Sequence, residues 1–430
     1  MLPIYHWPEK GAIERIKPAV MEDLNIQAQV AEIVREVVKK GDESLLRYTE
    51  LFDGCRLTRE SIRVREEEIL EAYAKVDDQF LHSLRQAKEN IVNFHTLQKQ
   101  KDWFAQDERG SLVGQVYRPI NRVGLYVPGG TANYPSSVLM TSLPAVVAGV
   151  PEIVMVTPPG KDGSIPAPTL VAAKEAGVGE IYRVGGAQAV AALAYGTESI
   201  RPVDKIVGPG NIYVTMAKKL VYGQVGIDML AGPSEILVIG DGSVSPAYAA
   251  ADLLSQAEHD KRARAFLVTH DGNWARKVQE EVEKQLNLLP RRNVAREALA
   301  SYGAIILVKD LEEAFAVSNF IAPEHLELLL SDPWASLSRI KHAGAVFLGP
   351  YSPEPLGDYW AGPSHVLPTG GTARYASPLG VEDFCKRSSI IGYTGKGFTM
   401  AARSIMHLAE MEGLTAHGRA IGIRLEEEGS

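Results

Sequence analysis

Two cysteines in 430 residues, Cys55 and Cys385, leave no room for a disulfide framework, and without a CxxC pair a thiolate-rich zinc site is excluded too. Basic charge is in deficit: 45 lysines and arginines against 53 aspartates and glutamates give a formal net charge of −8. A nucleic-acid partner, which calls for a clustered basic face, is therefore not expected. The N-terminal stretch MLPIYHWPEK has no apolar segment after a basic start, so no secretory signal is read. One long apolar run, SSVLMTSLPAVVAGVPEIVMV at 136–156, is broken by Pro144, Pro151 and Glu152 and reads as a buried helix followed by a strand, not a membrane span. The dinucleotide fingerprint GxGxxG is missing as well. What remains is a soluble enzyme of the cytoplasm, with 45% apolar and 23% charged residues.

The texture of the chain changes along its length. Residues 1–22 form a short N-terminal arm. From about 25 to 100, apolar residues recur at helical spacing, as at Val30, Ile33, Val34 and Val37 and again at Leu84, Ala87 and Ile91. After Pro119, short Val/Ile-rich runs alternate with amphipathic segments: RVGLYV, EIVMVT, EIYRVG, DKIVGPG, EILVIG, AFLVTH, AIILVK and GAVFLG. Eight such strands spaced by helices predict an α/β fold with two Rossmann-like parallel-sheet domains, since their number exceeds a typical sheet. Functional loops are expected at the carboxyl edges, where most of the runs end in Gly or Pro. The expected division is a first α/β domain from 23–125 and 236–378, a second from 126–235, and a small C-terminal domain at 379–430 with one strand, one helix and an acidic end.

Four stretches carry candidate chemistry. In LLSQAEHD (253–260), Gln256 and His259 stand three apart, on one helical face at the end of an apolar stripe. In APEHLELLL (322–330), Pro323 suits a first helical position, so Glu324 and His325 are expected in a first helical turn whose field favours their basic forms. An isolated Pro-Glu start is more often a simple cap. GDYWAGPSHVLPTGG (357–371), rich in Gly and Pro, reads as a shaped loop carrying Asp358 and His365. EGLTAHG (412–418) places His417 just past a helix. Gln256, His259, Asp358 and His417 together offer nitrogen and oxygen ligands without sulfur, a set suited to Zn²⁺ or a neighbouring divalent metal in an open site. VGGAQAV (184–190) and VGPGNIYV (207–214) each join a strand to a helix and can bring N–H groups to a phosphate, though either alone is more often a structural turn. His6, His82, His95, His270, His342 and His407 have no such setting. A zinc hydrolase, or a non-catalytic metal- or amino-acid-binding protein, would also fit these residues.

Six motifs in one order (VGPGNIYVTMAKK, IDMLAGPSEILVI, SQAEHD, APEHLEL, GDYWAGPSHVLPTGGTAR and EGLTAHGRA) resemble those of the histidinol dehydrogenase family over nearly the whole chain. The resemblance implies oxidation of L-histidinol to L-histidine through L-histidinaldehyde, with two NAD⁺ reduced at one site. It further implies one Zn²⁺ per subunit and a homodimer in which the C-terminal domain reaches into the partner's active site. By position it makes Gln256, His259, Asp358 and His417 zinc ligands and Glu324 and His325 the acid–base pair. Ser234, His325 and Glu412, with the metal ligands, become substrate contacts, and Tyr126, Gln188 and Asn211 NAD contacts. His365 matches a recurrent position without a firm role.

Overall fold

The computed structural model describes residues 2–17, 24–129 and 133–428, the side chains of 427 and 428 excepted; residues 1 and 18–22 of the expected arm lie outside this range. The chain forms two compact units, Met1–Gln98 with Ile120–Phe384, and Lys99–Pro119 with Cys385–Ser430.

The larger unit is built on two parallel sheets. The six-stranded sheet runs in the order Ile4–His6, Ala304–Leu307, Arg264–Thr269, Glu235–Gly240, His325–Leu329, Ala345–Leu348. The five-stranded sheet runs Glu180–Arg183, Glu152–Thr157, Arg122–Tyr126, Lys205–Val207, Gly226–Ile227. All eight expected strands are present in these two sheets. Central strands are buried along their whole length, as in Glu235–Gly240 and Arg264–Thr269, because helices cover both faces. The run at 136–156 forms the helix Pro135–Ala148 and the strand Glu152–Thr157, and no described helix is long and apolar enough to cross a membrane.

The early helices are where the periodicity placed them, but they serve the second sheet. Val30, Ile33, Val34 and Val37 of the helix Leu24–Lys40 share a core with Tyr126, Val154 and Val156. Leu84, Ala87 and Ile91 of Asp78–Thr96 share one with Val123, Leu125 and Met155. Residues 24–96, grouped from sequence with 236–378, therefore pack against the sheet of 122–227. An apolar stripe shows that a face is buried and not which sheet buries it.

The stretch 322–330 corrects a second expectation. It is not a helix start: His325–Leu329 is a fully buried strand between Glu235–Gly240 and Ala345–Leu348. Leu326, Leu328 and Leu330 join the core on one face and Leu329 the core on the other, a period of two. A short apolar run is compatible with either period, and Pro323 misled because it follows a helix instead of opening one. The preceding helix Leu311–Ile321 ends at Ala322, which has φ 53° and is the non-glycine residue at positive φ among the described residues. That conformation costs of order 1 kcal/mol and is retained two residues before Glu324.

In the smaller unit, Cys385–Gly392 pairs antiparallel with Leu112–Pro119, which pairs with Trp103–Gln106. Two helices follow where one was expected, Gly395–Met411 and Thr415–Glu428, with Gly413 at φ 73° between them. Residues 99–119, remote in sequence, supply two of that unit's three strands.

Candidate active site

Glu235 opens an inner strand of the six-stranded sheet, and its backbone holds the side chains of Glu324 and His325, which lie just before and at the start of the neighbouring strand. Its N–H donates to Glu324 Oε2 at 2.7 Å, and its carbonyl oxygen lies 2.9 Å from His325 Nδ1. A carbonyl only accepts, so Nδ1 carries the proton and Nε2 is left with the lone pair. Glu235 is itself anchored: its side chain pairs with Arg264 at 2.8 Å, both groups nearly fully buried, and accepts from the Gly370 N–H at 3.1 Å. Ser234 precedes it, with its carbonyl accepting from the Arg264 N–H.

Burial sets the protonation of the pair, in place of the helix field expected from sequence. Desolvation lowers His325 to about 4, so its imidazole is neutral near pH 7. Desolvation also raises the Glu324 carboxyl well above the usual carboxylate range, opposed by the Glu235 N–H and reinforced by the charges of Glu235, Asp358 and Glu354. The neutral imidazole was expected; the raised carboxyl is the reverse of what a helix terminus would produce.

Next to His325 lies a nest of acids. The ligand atoms of His325, Glu354 and Asp358 are all within 4.8 Å of one another. Glu354 and Asp358 sit on the short helix Glu354–Tyr359, and burial is the main cause that lifts them to about 8 and about 6. Behind them, the Glu354 N–H donates to Glu327 Oε1 at 2.7 Å, and Glu327 shares a hydrogen bond with the carboxyl of Asp252. Glu354, Glu327 and Asp252 were not singled out from sequence, although PEPLGD repeats the Pro-Glu signature and sets two carboxylates at i, i+4.

Gln256 lies in the last turn of the helix Pro246–Ala257, while His259 lies two residues past its end, its N–H bonded to Gln256 O at 3.2 Å. The Gln256 Oε1 and Glu354 Oε1 atoms are buried without a hydrogen-bond partner. Ser255 Oγ reaches Glu354 Oε2 at 3.4 Å, which ties the Gln256 helix to the Glu354 helix, and the His259 charge is felt at both Glu354 and His325. Unpartnered buried oxygens beside carboxylates and an imidazole are what a divalent cation would satisfy, so the residues present fit an N/O-ligated metal. His365, neutral with its imidazole lowered to about 4 by burial, has Nδ1 3.7 Å from Asp358 Oδ1 and Nε2 3.4 Å from Ser137 Oγ. His417, in the first turn of Thr415–Glu428, and Glu412, capping Gly395–Met411, belong to the smaller unit and are exposed.

This constellation can be set beside known proteins. The family description histidinol dehydrogenase matches residues 17–425. The chain belongs to the histidinol dehydrogenase family. It is an oxidoreductase, 54% identical over 427 residues to a histidinol dehydrogenase of Heliobacterium mobile, spanning 99% of this chain and all of that one. A histidinol dehydrogenase of Moorella thermoacetica is 58% identical over 401 residues, 93% of this chain and 95% of its own. The crystal structure of the histidinol dehydrogenase from Elizabethkingia anophelis superposes with a TM-score of 0.95 at 38% identity, covering 100% of this chain and 99% of that one.

A cleft of about 1190 Å³ in the larger unit brings together Tyr126, Gln188, Asn211 and His259. It opens at the carboxyl edge of the five-stranded sheet, whereas Glu324 and His325 stand at the amino edge of the six-stranded one. The carboxyl-edge expectation thus describes the cleft and not Glu324 and His325. Within the cleft wall, Tyr126 OH accepts from the Gly186 N–H at 3.0 Å, Gln188 has both amide atoms buried and unpartnered, and Asn211 caps the helix Ile212–Val221.

Proposed function

We propose that the protein converts L-histidinol to L-histidine through L-histidinaldehyde in the cytoplasm, using two NAD⁺ at one site with one Zn²⁺ per subunit. The observation that carries this reading is the grip of one residue's backbone, the N–H and the C=O of Glu235, on both Glu324 and His325 beside unpartnered buried oxygens. Gln256, His259 and Asp358, completed by His417, would hold the metal, and Tyr126, Gln188 and Asn211 would line the dinucleotide. When bound, Zn²⁺ fixes the substrate's nitrogens and NAD⁺ supplies the hydride acceptor.

The chain's own part is proton handling and placement. His325 takes the carbinol proton at Nε2, the nitrogen its bond to Glu235 leaves free. Glu324 draws a proton from the water that adds to the aldehyde carbon, its carboxylate placed by the Glu235 N–H. Ser234 and Glu412 contact the substrate. A thiohemiacetal route is disfavoured, because neither Cys55 nor Cys385 lies in a motif with a base nearby in sequence, and Cys55 is buried with its thiol pushed up by desolvation. The active form is a homodimer in which His417 and Glu412 serve the partner's site. Histidinol, NAD⁺ and Zn²⁺ mixed with the protein should yield two NADH per histidine; no NADH with histidinol would refute the dehydrogenase reading and leave a zinc hydrolase.

A further inference from the structure

Asp53 is the last residue of the helix Asp42–Asp53, where unpaired carbonyls favour a cation, and the last turn holds no basic residue. Its Oδ2 atom is buried with no hydrogen-bond partner, and burial alone lifts the carboxyl to about 6. An unpaired acid at a helix C-terminus, shielded from water, destabilises the free protein and calls for a ligand that repairs it. Asp53 lines the same cleft as Tyr126 and Gln188.

His259 lines the cleft and acts electrostatically on His325 and Glu354. Asp53 is not among the groups that shift those residues; its charge is felt instead at Tyr126. Beside Asp53, Phe52 is stacked on Tyr48 with ring centroids 5.5 Å apart, and about half of its surface is exposed. A nicotinamide has to meet the carbon beside His325, so the adenosine half of the same dinucleotide falls to groups that do not act on His325, among them Asp53. Lys161 also lines the cleft and is the cation an added phosphate would find.

We propose that Asp53 selects NAD⁺ over NADP⁺, its carboxylate accepting from the adenosine ribose hydroxyls and repelling a 2′-phosphate that Lys161 would otherwise attract. This rests on the dinucleotide reading given above. The test is direct binding, by calorimetry on the full-length zinc-loaded protein, of NAD⁺, NADP⁺, 5′-AMP and adenosine 2′,5′-bisphosphate to wild type, Asp53→Asn and Asp53→Ala. Wild type should prefer NAD⁺ to NADP⁺ by about a hundredfold, and both variants should narrow that ratio at least about tenfold, with the same change in the AMP pair. Their thermal midpoints should hold or rise, since a buried unpaired charge is removed. A ratio unchanged by either variant overturns the role of Asp53 alone. Wild type binding neither dinucleotide overturns the dinucleotide reading and this inference with it.

Discussion

The imidazole of His325 donates from Nδ1 to the backbone carbonyl of Glu235 at 2.9 Å, which leaves Nε2 as the nitrogen able to take a proton. Because the partner is backbone, no side-chain substitution nearby can flip the tautomer. His325→Asn keeps an amide N–H in reach of that carbonyl but has no basic nitrogen. Its kcat should fall by about 10²–10⁴-fold while thermal midpoint and zinc content stay near wild type. Turnover within a few-fold of wild type would remove His325 from the chemistry.

Glu324 is held by the backbone of the same residue, its Oε2 accepting from the Glu235 N–H at 2.7 Å. Glu324→Gln can still accept that bond through its amide oxygen, yet cannot take a proton from water. The first oxidation should then outlast the second, with rapid-mixing absorbance showing about one NADH per site before a slow phase. Equal loss of both phases would mean that Glu324 acts on the alcohol as well.

How much of this was legible from residues alone depends on the kind of interaction. The eight Val/Ile-rich strands were visible because burial on both faces leaves an uninterrupted apolar run. Glu324 and His325 were visible as residue types, but their setting was not. Both the 3.6 and the 2.0 period fit the run from Leu326 to Leu330, and the choice was made by the strands on either side of it. Glu235 and Arg264 were invisible: their pairing joins adjacent strands, and a charged residue opening a strand gives no local hint of a buried partner. Nor can sequence show that 99–119 cross to the strand at 385–392.

Arg264 offers a test of that hidden support. It is buried against Glu235, and its second amino group donates to the Lys17 carbonyl at 2.7 Å. Arg264→Met would strand the Glu235 carboxylate without its cation, at a cost of about 3–5 kcal/mol. Pairing it with Glu235→Gln should recover most of the loss, measured by denaturant unfolding. Additive losses in the double variant would show that the ion pair is not what supports this strand.

The acid nest predicts how stability responds to pH and to metal removal. Glu354, at about 8 in the fold against about 4.5 unfolded, binds a proton more tightly when folded. Its contribution is therefore complete at low pH and lost as pH rises through about 8; Glu327 and Asp252, also raised, act in the same direction. Neutral His325 and His365, at about 4, act oppositely, losing stability only as pH falls below about 6.5. Chelated protein should thus lose about 1 kcal/mol from Glu354 between pH 7 and pH 8.5. Zn²⁺ should cancel the loss, because a divalent cation prefers the ionised nest. A flat profile in the chelated protein, or one unchanged by Zn²⁺, would contradict this electrostatic account.

His417 and Glu324 lie in different compact units, and mixing inactive variants shows whether one site draws them from two chains. Each single variant, His417→Asn or Glu324→Gln, should turn over little as a homodimer. In a randomly reassembled mixture about half of the dimers carry one chain of each kind. If His417 serves the partner's site, such a dimer has one site with both lesions and one with none. About a quarter of wild-type activity should therefore return on reassembly. If each chain uses its own His417, every site in the mixture keeps one lesion and no activity returns. A steady-state assay of the reassembled mixture, with dimer exchange confirmed by differently tagged chains, separates the two.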